Sequence, residues 1–148
     1  MSSHICLRLH FIWSTAHRAP LIDPAWEPRL FGYIGALLAD RKGVLLAANG
    51  TTDHIHIYTS LPATRALSEV VNALKANSSR WIHETLGMTA FGWQNGYGAF
   101  SVSMSSDKQL RTYIQNQKTR HLRRTFKAEY LAFLKRHEIA YDPRYVFE

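Results

Sequence analysis

The run Thr52-Asp53-His54-Ile55-His56-Ile57-Tyr58-Thr59-Ser60-Leu61-Pro62 constrains this chain more than any other stretch. It is rich in β-branched residues, which favour a strand. Strand side chains alternate between faces, so His54 and His56 share one face while Ile55 and Ile57 share the other. The isoleucines require a core behind them. The two imidazoles then stand side by side on a stiff support, an arrangement that grips a divalent metal. An edge strand with two exposed polar residues has the same spacing, so the pair needs support from elsewhere in the chain. Pro62 cannot continue an interior ladder, and the strand is expected to end there.

The segments on either side supply partners for this strand. Residues 4–14 alternate Ile5, Leu7, Leu9 and Phe11 with Cys6, Arg8, His10 and Ile12, and read as a first strand. After a connection carrying His17, Arg18 and Pro20, Asp23 and Pro24 have the form of a helix N-cap and first helical residue. Leu30, Phe31, Ile34, Leu37 and Leu38 recur at helical spacing, and Gly43 marks the end of that helix. Residues 44–48 form a short apolar strand, and Asn49-Gly50 reads as the hairpin turn into the histidine strand. A second helix opens at Thr64, with Leu67, Val70, Val71, Leu74 and Trp81 as its stripe. Residues 87–98 are loop, rich in glycine and aromatics, and residues 99–104 form a last strand. Strand, helix, strand, strand, helix, strand is the ferredoxin-like βαββαβ order: an α+β fold with an antiparallel sheet and two helices on one face. With 148 residues the chain is long enough for one domain with a sizeable core, and residues 1–148 are read as a single domain.

Additional helices follow. Ser106 and Gln109 have capping-box spacing at the start of a third helix, on which Leu110, Tyr113, Ile114, Gln117 and His121 share a stripe. A fourth helix carries Phe126, Tyr130, Phe133 and Leu134, and the tail at 141–148 is expected to fold back onto the domain. Tyr113 and Gln117 lie one turn apart. If their face meets the histidine strand, two imidazole nitrogens and an amide oxygen can hold a metal beside a tyrosine hydroxyl. A metal so held acts as a Lewis acid on a phosphodiester, with Tyr113 as nucleophile. Phenolate leaves more readily than an alkoxide, so the covalent link is reversible and suits strand transfer. A packed core tyrosine on an amphipathic helix has the same spacing.

Charge adds a partner. The formal charge of +7 points to a polyanion, most simply nucleic acid. Lys118, Arg120, Arg123, Arg124 and Lys127 cluster after the Tyr113 helix and are candidate phosphate contacts, with Lys75 and Arg80 as secondary candidates. Cys6 is the single cysteine, which excludes an intrachain disulfide and a cysteine-built zinc site. No apolar run has the length of a membrane span and the N-terminus lacks a secretory pattern, so a cytoplasmic protein is expected.

Several motifs together resemble one family, the HUH single-tyrosine transposases of insertion sequences that move as single-stranded DNA. Asp53-His54-Ile55-His56 followed by Leu61-Pro62 is similar to their histidine–hydrophobe–histidine strand. The segment from Trp93 through Gly98 to Ser103 is similar to the one leading to their catalytic helix, and Tyr113-Ile114-Gln115-Asn116-Gln117 to their nucleophile and third metal ligand. Phe11-Ile12-Trp13-Ser14-Thr15 and Arg144-Tyr145 also fit. The resemblance implies that Tyr113 is catalytic, that His54, His56 and Gln117 bind Mg²⁺ or Mn²⁺, and that the substrate is single-stranded DNA next to hairpins. It further implies a covalent bond between the tyrosine and the 5′ end. In one departure, Arg120-His121 stands where many members have two tandem histidines. A homodimer with an active site shared between its chains is expected, because the short connection at 104–107 can direct the tyrosine helix toward either chain; the long first strand would need covering if it lay at an edge. Two alternatives remain: a single-strand-binding module of the same fold, and a domesticated relative that processes genomic hairpin repeats.

Overall fold

In the computed structural model, which describes residues 1–147, the sheet is built from β1 (Arg8–Ser14), β2 (Val44–Gly50), β3 (His54–Ser60) and β4 (Gly98–Ser101). The helices are α1 (Glu27–Asp40), α2 (Leu67–Leu86), α3 (Asp107–Gln115), α4 (Gln117–Arg120) and α5 (Phe126–Arg136). The strand order is β2-β3-β1-β4 with every neighbour antiparallel, which is the ferredoxin-like sheet expected.

Alternation along β1 and β3 decides what each face of the sheet buries. Phe11 and Trp13 of β1 and Ile55 and Ile57 of β3 point to one side, fully buried. There they meet Leu30, Ile34 and Leu38 of α1 and Val70, Val71, Leu74 and Ile82 of α2. Each such side chain contributes about 1.5–3 kcal/mol on leaving water, so this layer is the main source of stability. His10, Ile12, His54, His56 and Tyr58 take the opposite face. The C-terminal helices cover it, with Ile12, Phe100, Phe126 and Leu134 forming a second, smaller apolar cluster. Val146 and Phe147 pack against that cluster, so the tail does fold back.

Several local expectations shift. The first strand begins at Arg8 rather than at residue 4, because Arg8 is the outermost residue with a partner on β3, Ser60; Ile5 and Leu7 before it are exposed. β1 lies inside the sheet between β3 and β4, so it has no edge to cover; the edges are β2 and β4. Asp23 caps a turn at Ala25, and α1 starts four residues later with Pro28 in its first turn. The left-handed residue after α1 is Lys42 (φ 63°) rather than Gly43. Gly43 is required for a different reason: a Cβ there would stand 2.9 Å from the Ser60 carbonyl oxygen. α2 opens at Leu67 rather than Thr64.

Asn49 and Gly50 belong to β2, paired with His56 and Ile55, and the hairpin turns at 51–53 instead. The Asn49 amide explains the extension. It donates to the carbonyls of Ile114 (2.9 Å) and Gln115 (3.0 Å), tying the strand to the end of α3. β4 ends at Ser101, three residues early, because Met104–Ser106 forms a 3-10 turn. Ser106 makes no side-chain cap to α3, and the predicted third helix is broken at Asn116 into α3 and α4.

Candidate active site

β3 and α3–α5 converge on one buried cluster. His54 and His56 are both 0% exposed, and neither faces solvent as an edge residue would. Each is oriented by a hydrogen bond at Nδ1. His54 Nδ1 lies 2.8 Å from Asp53 Oδ1 and 2.9 Å from Thr51 Oγ1. His56 Nδ1 lies 2.8 Å from His10 Nε2 on the neighbouring strand. Both Nε2 atoms therefore point into the cluster, the orientation that metal-binding imidazoles take when a second group holds the other nitrogen.

Gln117, fully buried at the start of α4, offers its amide oxygen 3.2 Å from His54 Nε2. Its NH₂ donates to Glu129 Oε2 at 3.0 Å. Tyr113, one turn earlier on α3, donates its hydroxyl to the same Oε2. The Tyr113 ring meets the His56 ring edge-on with centroids 5.9 Å apart, and Arg120 stacks over it with Cζ 4.6 Å from the centroid. The four residues predicted from spacing thus lie together within a single chain, despite the helix break between Tyr113 and Gln117.

Glu129, which spacing alone does not bring to this site, is its hub. It is 2% exposed, in the first turn of α5. Its Oε1 lies 3.0 Å from His56 Nε2 and 3.5 Å from His54 Nε2; its Oε2 lies 3.2 Å from His121 Nε2. The ligand atoms of His54, His56, His121 and Glu129 all lie within 4.8 Å of one another. One signal for Glu129 is present in the sequence: it is a carboxylate within the stripe of Phe126, Tyr130 and Phe133, where an apolar residue is expected. His10 has a weaker one, being on the same face of β1 as Ile12.

Electrostatics follow from this packing. Burial alone would lower the His54 pKa, but bonds to the Asp53 and Glu129 carboxylates raise it to about 9. His56 and His10 are held below the usual imidazole value by burial. Burial opposes ionisation of Glu129, yet contacts with His121, His54 and His56 overcome it and hold the carboxyl far below its usual range. Burial and the Glu129 carboxylate together push the Tyr113 phenol well above its usual value. The donor set of imidazole nitrogens, an amide oxygen and a carboxylate, with no thiolate, could hold a divalent metal ion.

A cleft of about 800 Å³ opens beside Tyr113, lined among others by Phe100, Ser103, Lys108, Arg120 and Arg136. The predicted basic residues divide. Arg120, Arg123 and Arg124 are exposed. Lys118 is committed internally, 2.7 Å from both Glu27 Oε1 and Asn49 Oδ1, and Lys127 rests over the Phe147 ring. Lys75 is likewise committed, to the carbonyls of Gln94 and Gly96, and Arg80 bonds Asn77. At the start of α3, Asp107 joins Tyr58 (2.7 Å), Arg8 (2.7 Å) and Arg111 (3.1 Å), pinning the tyrosine helix to the histidine strand. Among the described residues no helix is long and apolar enough to cross a membrane.

Residues 3–117 match the family model described as "Transposase IS200 like". The fold is similar to that of a protein assigned as a transposase in Deinococcus radiodurans R1, with TM-score 0.65 and 21% identity over 79% of this chain and 95% of the other. It is also similar to a REP-associated tyrosine transposase bound to a REP hairpin, with TM-score 0.62 and 17% identity over 82% of this chain and 74% of the other. At these identities the two structures show the fold. No curated protein matches the chain.

Proposed function

The chain belongs to the IS200-like transposase family, and from that premise we propose that it cleaves and rejoins single-stranded DNA next to hairpin ends through a 5′-phosphotyrosine intermediate on Tyr113. The observation that carries this reading is the convergence of Tyr113, Gln117, His54 and His56 around Glu129, with Tyr113 also lining the cleft. A module that only binds single strands has no need of buried imidazoles and a carboxylate gathered around a tyrosine hydroxyl.

In this reading His54, His56 and Gln117 hold Mg²⁺ or Mn²⁺. When bound, the cation supplies Lewis-acid polarisation of the scissile phosphate and offsets its charge. The rest is done by the chain. Glu129 Oε2 accepts the hydrogen bond of the Tyr113 hydroxyl and fixes its direction. The Tyr113 oxygen forms a bond to phosphorus as the bond from phosphorus to the 3′ oxygen breaks. The proton given up by the Tyr113 hydroxyl is taken up by that oxygen, which leaves as a 3′ hydroxyl, and the phosphate stays joined to the 5′ end and the tyrosine. Attack by another 3′ hydroxyl reverses the step and releases Tyr113. Arg120 lies over the phenol ring, where its charge favours the phenolate. Phe100 and the cations of the cleft suit the bases and phosphates flanking the cut.

The test is incubation with labelled single strands taken from the DNA flanking this gene, with and without Mn²⁺. A metal-dependent covalent adduct that survives denaturation is expected; binding without adducts or cleavage would refute the proposal. The expected homodimer is part of the same proposal, and light scattering at micromolar concentration tests it. Against the expected shared site, a single chain already places Tyr113 beside His54, His56 and Gln117, so each protomer of such a dimer would carry its own site and mixed His54→Ala and Tyr113→Phe proteins would stay inactive instead of regaining cleavage.

A further inference from the structure

We infer that Glu129 is a fourth metal ligand, and that through its second oxygen it ties the position of Tyr113 to metal occupancy. The inference rests on the proposed metal site at His54, His56 and Gln117. It goes beyond that set, because Glu129 lies on α5, outside the residues that match the family model.

Spacing is the first argument. Ligands bound about 2.1 Å from one cation stand roughly 3.0 Å apart along an octahedral edge and about 3.4 Å apart along a tetrahedral one. Glu129 Oε1 lies 3.0 Å from His56 Nε2 and 3.5 Å from His54 Nε2, and Gln117 Oε1 lies 3.2 Å from His54 Nε2. They are within hydrogen-bonding range, and they are also the separations that atoms around a shared ion would take. His121 stands nearer the second oxygen, its Nε2 3.2 Å from Oε2 without an aligned hydrogen bond, while its ligand atom also lies within 4.8 Å of those of His54, His56 and Glu129.

Charge is the second. Two imidazoles and an amide bring no negative charge to a dication. Asp53 lies behind His54, on Nδ1. Glu129 is the anion with direct reach to both Nε2 atoms among the described residues. A buried dication facing only neutral ligands would be poorly compensated.

Division of labour is the third. Oε1 faces the histidines, while Oε2 takes the bonds from Tyr113 and Gln117. A cation drawing on Oε1 fixes the carboxylate, and the carboxylate fixes the hydroxyl of the nucleophile. His56 and Tyr113 are then linked through one side chain on a helix that neither belongs to.

The experiment measures Mn²⁺ binding by calorimetry to DNA-free protein, for the wild type and for Glu129→Gln, His121→Ala and His54→Ala, with circular dichroism to confirm folding. Glu129→Gln should weaken binding by roughly tenfold or more, His121→Ala by much less, and His54→Ala should abolish it. Unchanged binding by Glu129→Gln with no binding by His54→Ala overturns the Glu129 assignment and leaves the three-residue site standing. Unchanged binding in His54→Ala overturns both. A readout in the wild type does not depend on any variant folding. With ¹³C-carboxyl glutamate incorporated, Mn²⁺ should shift a label-sensitive carboxylate stretching band in the infrared difference spectrum. No glutamate band shifting at saturating Mn²⁺ overturns the inference.

Discussion

Removing metal and raising the pH should destabilise this protein, and the amount follows from His54. Its pKa in the fold is about 9 against an ordinary 6.5, because Asp53 and Glu129 favour the imidazolium despite burial. A group whose folded pKa is raised contributes stability that is fully present below the unfolded value and lost as pH rises through the folded one. The window is therefore pH 6.5 to about 9. Roughly 2.5 pH units at about 1.4 kcal/mol each come to on the order of 3 kcal/mol. His10 and His56 act with the opposite sign: their folded values are lowered, so stability is lost as pH falls below 6.5. The metal-free protein should thus be most stable near neutrality and weaken on both sides. The assay is urea unfolding in EDTA at half-unit pH steps, repeated on His54→Gln, in which the alkaline slope should vanish. Saturating Mn²⁺ should cancel much of the slope in the wild type, because the metal competes with the proton on His54. A flat profile from pH 6.5 to 9 in EDTA, or the same slope in His54→Gln, would refute the reasoning.

Three further outcomes are expected. His54→Ala and His56→Ala should each abolish DNA cleavage, as should EDTA on the wild type; full activity in EDTA would exclude the metal site. Substituting Arg120, Arg123 and Arg124 together should flatten the salt dependence of single-strand binding by about 0.7 in log–log slope for each phosphate that goes unneutralised. An unchanged slope would mean that these arginines make no phosphate contacts. Gly50→Ala would set a Cβ 2.2 Å from the His54 carbonyl oxygen, so it should cost at least about 2 kcal/mol in chemical unfolding; near-neutral stability would mean that the turn before His54 tolerates displacement.

The architecture was legible wherever alternation carried it. The period of two in β1 and β3 correctly separated the core-facing isoleucines from the histidines, whereas the spacing of Tyr113 and Gln117 put them on one helix face without saying what that face meets, which the packing of α3 and α4 on β3 supplies. Local punctuation was less faithful where a distant partner outbid it. Asn49-Gly50 has turn chemistry, yet the Asn49 amide is held by the carbonyl ends of α3, and that bond keeps the pair in the strand. Ser106 and Gln109 have capping spacing, yet the chain enters α3 from a 3-10 turn and Asp107 is pinned to β1 and β3, which leaves Ser106 in a helical conformation. Lys118 has the sequence context of a free cation, although its partners Glu27 and Asn49 lie far off in sequence. Glu129 was obscured because a glutamate in a helix usually faces water. What distinguishes it is its company, three imidazoles that come from β3 and from the segment before α5.

The most direct test of the central claim is the identity of the residue that becomes joined to DNA. A labelled single strand bearing its flanking hairpin is incubated with the protein and Mn²⁺, the adduct is digested, and the modified peptide is sequenced by mass spectrometry. The account predicts a phosphodiester on Tyr113 and its disappearance in Tyr113→Phe, a protein that remains folded because Glu129 still bonds Gln117 and His56. An adduct on Tyr97 or Tyr130, or an undiminished adduct in Tyr113→Phe, would contradict it.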